Sequence, residues 1–84
     1  MGRNKRPMPA RLGEKLKAIR EHLELSTEKL VERLDCPSIP LHRSNISHYE
    51  KNHREPPSLV LLQYARLARV PVDVLIDDKS DLPF

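Results

Sequence analysis

The sequence predicts a small all-α domain of five helices, and three observations lead to this class. Apolar residues recur at helical spacing, as at Leu12, Leu16, Ile19 and Leu23. No stretch of useful length alternates apolar and polar residues, as a half-buried strand would. Eight prolines divide the 84 residues into short segments, and proline bounds or interrupts a helix. This length fits a single domain.

The first two helices are expected before the first pair of prolines in the middle of the chain. The leucine stripe places the first helix at about residues 11–23, with charged residues on its opposite face. Ser26 or Thr27 offers a side-chain cap for the second helix. The apolar residues of that helix are Leu30, Val31 and Leu34. Residues 35–41 contain two prolines three positions apart, which predicts a loop.

The third helix is predicted from His42 or Arg43 to Lys51, and its composition is unusual. Ile46 and Tyr49 are its only apolar residues. A helix of a small domain normally gives about three or four of every seven positions to the core. The remaining positions here carry side chains that form hydrogen bonds. This helix is therefore the segment predicted to carry the function.

An asparagine and several prolines mark where the third helix ends and where the fourth and fifth helices lie. Asn52 can end the third helix in the left-handed conformation. The Pro-Pro-Ser segment at residues 56–58 opens a fourth helix, which ends before Pro71. The residues expected on its buried side are Leu61, Leu62, Ala65 and Ala68. Residues 72–76 can form a short fifth helix.

Positive and negative charges are distributed unevenly along the chain, with a basic N-terminal part and an acidic C-terminal part. Residues 1–10 are expected to be a flexible basic arm, residues 11–77 the folded domain, and residues 78–84 an acidic, loosely held tail. Residues 1–54 carry a formal charge of +5, whereas residues 55–84 carry −2. A basic half beside an acidic tail indicates a polyanion bound through one face. An ordinary solvated surface is the alternative, and charge alone does not separate the two.

The composition argues against several classes of protein. An apolar fraction of 38% with three aromatic residues leaves little material for a deep, dry catalytic cavity, so an enzyme is disfavoured. No apolar run approaches the roughly 20 residues of a membrane span. The basic N-terminus lacks the hydrophobic stretch of a secretory signal. Neither a membrane protein nor a secreted protein is expected.

Cysteine and histidine usage predicts neither a disulfide nor a metal site. Cys36 is the only cysteine, so no internal disulfide can form, which suits a reducing cytoplasm. The four histidines and this thiol lack the spacing of zinc ligands. No metal ion, cofactor or catalytic residue is therefore expected.

The polar residues of the third helix are those that can read DNA bases. The major groove of DNA, about 12 Å wide, admits one helix. Arg43 can pair bidentately with guanine and Asn45 with adenine, while Ser44 and His48 can donate or accept a hydrogen bond. A solvated helix face is the alternative for these residues.

Four segments of the chain resemble the Cro/C1-type (XRE-like, phage-repressor) helix-turn-helix family. Their matching residues are Arg11, Leu12, Gly13, Leu16, Lys17, Ile19 and Arg20; Leu25, Ser26, Leu30 and Val31; Asn45, Ile46, Ser47, Tyr49, Glu50, Asn52, Arg54 and Pro56; and Leu61, Leu62, Tyr64, Ala65, Ala68, Val70, Val72, Asp73, Leu75 and Ile76. The third segment is the most specific, because leucine spacing alone fits many helical bundles.

This resemblance implies a five-helix domain whose second and third helices form the DNA-binding unit. It assigns base contacts to Arg43, Ser44, Asn45 and His48. It assigns phosphate contacts to Ser26, Thr27, Lys51, His53 and Arg54. Glu50 is implied to be structural, tying the end of the third helix to its surroundings. The arm residues Arg3, Lys5 and Arg6 resemble basic arms that follow the minor groove or the phosphates, with an unbound tail as the alternative.

Three features depart from the family pattern. Residues 36–41 lengthen the turn between the second and third helices, with Ile39 or Leu41 available to hold the loop on the core. Glu24 stands where the family prefers glycine, so that turn is built differently or is strained. Lys29 occupies the position where a capping-box glutamate would strengthen the second helix.

The resemblance also implies partners. Double-stranded DNA is the expected ligand, and the expected function is a sequence-specific transcription regulator located in the cytoplasm on the nucleoid. A homodimer formed by the C-terminal third is expected, although its apolar residues can equally belong to the core: Tyr64, Leu67, Val70, Val74 and Phe84. An antitoxin that binds a toxin through the acidic tail, or a protein-interaction module on the same fold, is the alternative.

Overall fold

A computed structural model describes residues 8–84 of the chain. It contains the five helices α1 (Leu12–His22), α2 (Thr27–Arg33), α3 (Arg43–Glu50), α4 (Ser58–Ala68) and α5 (Val72–Ile76). No strand occurs in residues 8–84, and the predicted all-α class is confirmed. The predicted arm contacts Arg3, Lys5 and Arg6 lie outside the described residues.

One core holds the five helices together. The predicted stripe of α1 is buried at Leu12, Leu16 and Ile19. α1 packs against α3, α4 and α5, and α2 packs against α3. The other fully and nearly buried apolar residues, in or next to the remaining helices, are Leu30, Leu34, Ile46, Tyr49, Val60, Leu61, Tyr64, Ala65 and Leu75. The position of α3 is therefore set by its contacts with both α1 and α2.

Three helices end in the left-handed conformation without a glycine. Glu24, Asn52 and Arg69 have φ angles of 57°, 60° and 60°. In each case the next residue donates its N–H to the carbonyl five positions back, at 2.9 to 3.1 Å, which is the Schellman arrangement. The prediction for Asn52 is confirmed. The turn at Glu24 keeps a geometry that costs a non-glycine residue about 1 kcal/mol or more.

The loop between α2 and α3 is held on the core by apolar side chains. Ser26, rather than Thr27, caps α2, because its Oγ accepts a hydrogen bond from the backbone N–H of Lys29 at 3.1 Å. Ile39 and Leu41 of the loop are half-buried and pack against the core. The extra residues therefore form part of the packed structure.

The face that α4 buries matches the predicted one in part, because Leu61 and Ala65 are buried as expected. Val60 and Tyr64 are fully buried, whereas Leu62 and Ala68, which were expected inside, are only half-buried. Most residues of α4 are apolar, so its pattern does not define a single face. Leu59 of the same helix is 55% exposed.

The prediction of a loosely held C-terminal tail is wrong. Asp78 accepts hydrogen bonds from the backbone N–H groups of Ala10 and Arg11, at 2.9 and 3.0 Å. The Arg11 guanidinium also contacts the Asp81 carboxylate at 2.7 Å. The tail therefore packs along α1, and its acidic residues complement the N-terminal end of that helix.

Two further contacts attach the C-terminal end of the chain to α1. Lys15 is 2% exposed, and its Nζ donates to the carbonyl oxygens of Val74 and Asp77 at 2.7 and 2.8 Å. A cation at the end of α5 complements the helix dipole. The ring of Phe84 stacks on that of His22, with centroids 3.9 Å apart.

Candidate nucleic-acid interface

α3 presents one polar face to solvent and buries the other. Ile46 and Tyr49 are buried, whereas the predicted base-contact residues Arg43, Ser44 and His48 are exposed. At 3.6 residues per turn these three residues lie on one side of the helix. The composition of α3 follows from this arrangement, because only one narrow face contacts the core.

Asn45 differs from the other predicted base contacts. It is half-buried, and its Oδ1 accepts a hydrogen bond from the backbone N–H of His42 at 2.8 Å. This bond caps the start of α3. The Asn45 amide nitrogen keeps its capacity to donate. Ser47, which was not predicted as a contact, falls between Arg43 and Ser44 around the helix axis; the helical period alone could have identified it.

The C-terminal end of α3 is tied to α1 by an ion pair. Arg20 donates from Nε to Glu50 Oε2 at 2.7 Å and from Nη2 to Oε1 at 3.0 Å. The side chains are 18% and 8% exposed. The hydrogen bond to Glu50 raises the pKa of Arg20 above its ordinary value. The predicted structural role of Glu50 is confirmed.

Asn52 supplies a second tie between these helices that the sequence analysis missed. Its Oδ1 accepts from the backbone N–H of Gly13 at 2.9 Å, and its Nδ2 donates to the Ala10 carbonyl at 3.0 Å. A Cβ on Gly13 would lie 2.6 Å from the Glu50 carbonyl oxygen. Glycine in a helix is about 1 kcal/mol less favourable than alanine. A glycine inside a predicted helix, as at Gly13, is therefore the sequence signal that another segment packs closely there.

The predicted phosphate contacts lie at two places. Lys51, His53 and Arg54 are exposed immediately after α3. Ser26 is exposed at the start of α2, where its hydroxyl hydrogen is still available for donation, and Thr27 beside it is half-buried.

The two ends of α3 differ in charge. An open cleft of about 550 Å³ lies between α2 and the start of α3, and Glu28 and Glu32 line it together with Arg43 and Ser44. These carboxylates repel a phosphate group that approaches the cleft. The end of α3 carries the cation Lys51 and the ring pair of His48 and His53, whose centroids are 5.7 Å apart. The carboxylates of the cleft therefore lie at the start of α3, and the cation Lys51 lies at its end.

A metal site and a membrane-spanning helix are two further possibilities for the part of the chain that the structure describes. Residues 8–84 contain no group of three or more His, Cys, Asp or Glu side chains that could hold a metal ion. Within the same residues, no helix is both long and apolar enough to cross a membrane. Cys36 is half-buried in the loop before α3, and burial raises the pKa of its thiol.

Comparison with known proteins supports this description. Residues 13–79 match the sequence profile of a family described as a helix-turn-helix domain. A solved structure with the same fold is the P22 c2 repressor protein in complex with a synthetic operator in the presence of Tl+. It has a TM-score of 0.68 and 22% sequence identity, and the match covers 80% of this chain and 94% of that chain. No curated protein sequence matches this chain.

Proposed function

The chain belongs to the helix-turn-helix domain family, of the Cro/C1 type, and on this premise we propose that it is a sequence-specific DNA-binding transcription regulator. The exposed polar face of α3 carries the proposal. Arg43, Ser44 and His48 stand on that face, and a helix with such a face fits the major groove. The similar P22 c2 repressor was solved bound to an operator.

The proposal divides the contacts between bases and phosphates. Arg43, Ser44 and His48, with Ser47 between them, face the base edges, and Asn45 can contribute only its amide nitrogen. Lys51, His53 and Arg54 contact phosphates beside the end of α3, together with Ser26 and Thr27 at the start of α2. Backbone contacts of this kind set the register of the protein on DNA but carry no sequence information.

A homodimer remains part of the proposal, because one small domain contacts few base pairs. Of the candidate interface residues, Tyr64 is fully buried, and Leu67, Val70 and Val74 are half-buried. The large apolar side chains exposed in the C-terminal third are Leu59 at 55%, Ile76 at 45% and Phe84 at 46%. Sedimentation at micromolar concentration that shows only monomer, with and without DNA, would contradict this part.

Location and alternative partners follow from the proposed activity. A DNA-binding regulator of this kind is expected in the cytoplasm, on the nucleoid. A toxin-binding role would use the acidic tail, yet Asp78 and Asp81 of that tail are bonded to Arg11 and its neighbour. A protein-interaction module is favoured by an acidic third helix, whereas Arg43 and Lys51 make this face cationic, which supports DNA binding.

Equilibrium binding to random-sequence duplex DNA at several salt concentrations tests the phosphate contacts. A plot of log K against log salt concentration has a negative slope. This slope becomes less steep by about 0.9 for each phosphate contact that is lost. Lys51→Ala is expected to flatten the slope by about one, whereas Lys79→Ala, a matched change in the C-terminal tail, is expected to leave it unchanged. Equal slopes for the two variants, or no binding by the unmodified chain, would contradict the proposal.

A further inference from the structure

His48 and His53 are brought together by the hydrogen bond that closes the end of α3. Asn52 is left-handed there, and the backbone N–H of His53 donates to the carbonyl oxygen of His48 at 2.9 Å. A Schellman arrangement of this kind frequently places two apolar side chains in contact across it. Here the two side chains are imidazoles, whose ring centroids lie 5.7 Å apart. The backbone at the helix end therefore holds two titratable rings where an apolar pair is common.

Both imidazoles are open to a ligand. His48 and His53 are exposed, and within residues 8–84 neither ring forms a hydrogen bond or an ion pair. A neutral imidazole has one N–H to donate, whereas an imidazolium has two and carries a positive charge. Imidazole is the side chain that gains its charge between about pH 8 and pH 5. The pair can therefore become a stronger anion-binding group as the pH falls.

The charged groups around the pair add to this effect. Lys51 and Arg54 are exposed next to the two histidines in the sequence, and Glu55 after them is half-buried and has an interaction of its own. From α1, Arg20 pairs with Glu50. The carboxylates of α2 that line the cleft at the other end of α3 are Glu28 and Glu32. Imidazoliums and the neighbouring cations repel one another in the free chain, and a bound phosphate relieves that repulsion.

We propose that His48 and His53 form a proton-dependent phosphate site, and that DNA binding takes up protons at this pair. The imidazolium of His53 donates a charge-assisted hydrogen bond to the phosphate. The imidazolium of His48 donates one N–H to the same phosphate while its other N–H faces a base edge. Because a bound phosphate favours the charged rings, the affinity for DNA rises as the pH falls. This inference rests on the proposed function and adds regulation by pH to it.

Binding of the full chain to a random-sequence duplex pool, measured against pH at constant salt concentration, tests the proposal. From about pH 8 to about pH 5.5 the affinity is expected to rise by about tenfold, the difference between a neutral and a charged hydrogen bond. The double variant His48→Gln, His53→Gln keeps groups that form hydrogen bonds but cannot take up a proton, so most of this rise should disappear. His22→Gln is the matched control, because His22 is exposed at the end of α1, and it should keep the full rise.

Calorimetry in two buffers that differ in ionisation enthalpy measures proton uptake by the unmodified chain directly and needs no variant. A net uptake of protons on DNA binding is expected at about pH 6.5, the ordinary range of imidazole. Binding without proton uptake would overturn the proposal, and so would an equal pH dependence in the double variant and the unmodified chain. The proposed function would survive either outcome as long as Lys51→Ala still flattens the salt slope. Absence of DNA binding at every pH would instead reject the proposed function, and this proposal with it.

Discussion

Arg20 and Glu50 join the last turn of α1 to the last turn of α3 through two hydrogen bonds of 2.7 and 3.0 Å. Arg20 also donates from Nη1 to the Leu25 carbonyl at 3.1 Å, so one guanidinium fixes both α3 and the turn that leads into α2. The orientation of the proposed reading helix is thus set by a side chain that lies outside the helix-turn-helix unit itself.

Removing one partner of this pair is expected to destabilise the fold strongly. Arg20→Ala should lower the free energy of unfolding by about 2–4 kcal/mol, because it leaves the largely buried Glu50 carboxylate without its partner. Chemical denaturation measures the effect. Glu32→Gln is the control, since the exposed pair of Glu32 and Lys29 has a separation of 3.9 Å and should contribute less than about 0.5 kcal/mol. Equal losses in the two variants would show that the Arg20 pair is no stronger than a surface pair.

Substitution of Gly13 is expected to disturb the contact between α1 and α3. The Cβ of Gly13→Ala would lie 2.6 Å from the Glu50 carbonyl oxygen and 2.8 Å from Asn52 Oδ1. This overlap should lower the free energy of unfolding by about 1–3 kcal/mol, although alanine is the better helix former. Glu14→Ala, at an exposed position in the same turn, should stay within about 0.5 kcal/mol of the unmodified chain. A stabilised Gly13→Ala protein would contradict the close approach of the two helices.

Much of this fold is predictable from the sequence, and the limits have physical causes. Proline positions and the stripe of Leu12, Leu16 and Ile19 locate the helices because they act within a few neighbouring residues. The buried face of α4 is not predictable, because most of its residues are apolar and tertiary packing selects Tyr64. Contacts between segments far apart in the sequence, such as that of Asn52 with Gly13, leave no periodic signal.

The candidate site shows the same division. Exposure of Arg43, Ser44 and His48 follows from helical spacing, because the two apolar residues of α3 define its buried side. The capping bond of Asn45 is local, but an asparagine three residues into a helix fits equally well on an exposed face. The attachment of the acidic tail through Asp78 was not predictable, because it depends on the direction of the chain after α5, and tertiary packing sets that direction.

The hydroxyl group of Tyr64 is expected to lower stability rather than raise it. Tyr64 is fully buried, and among residues 8–84 its hydroxyl has no hydrogen-bond partner. Leaving such a group unpaired costs about 1–3 kcal/mol, so Tyr64→Phe should be neutral or stabilising by up to that amount at pH 7. Thermal and chemical unfolding measure the difference. A clear destabilisation would indicate that the hydroxyl has a partner.

The same substitution is expected to change the pH dependence of stability. Burial raises the pKa of Tyr64 above its ordinary value of 10.0, and the nearby Glu50 adds to this effect. Above pH 10 the unfolded chain releases a proton that the folded chain retains, so this contribution to stability decreases as pH rises, by about 1.4 kcal/mol per pH unit. The stability advantage of Tyr64→Phe should therefore widen above pH 10. A constant difference across that range would exclude the raised pKa.

Glycine at position 24 is expected to stabilise the chain. Glu24 adopts a φ angle of 57°, which glycine reaches without the steric cost of a Cβ. Glu24→Gly should raise the free energy of unfolding by about 1 kcal/mol. Glu24→Ala is the informative control, because it removes the same carboxylate but keeps the Cβ. If alanine and glycine stabilise equally, charge and not backbone conformation accounts for the effect.

Selection of bound duplexes from a random-sequence DNA pool tests the central claim most directly, with Arg43→Ala and Lys51→Ala selected in parallel. The unmodified chain should enrich a motif of two half-sites, spaced by one helical turn of about 34–36 Å if it binds as a dimer. Arg43→Ala should lose base preference at one position of each half-site, whereas Lys51→Ala should select the same motif with lower affinity. An unchanged motif in the Arg43→Ala selection, or no enrichment by the unmodified chain, would contradict a base-reading role for the exposed face of α3.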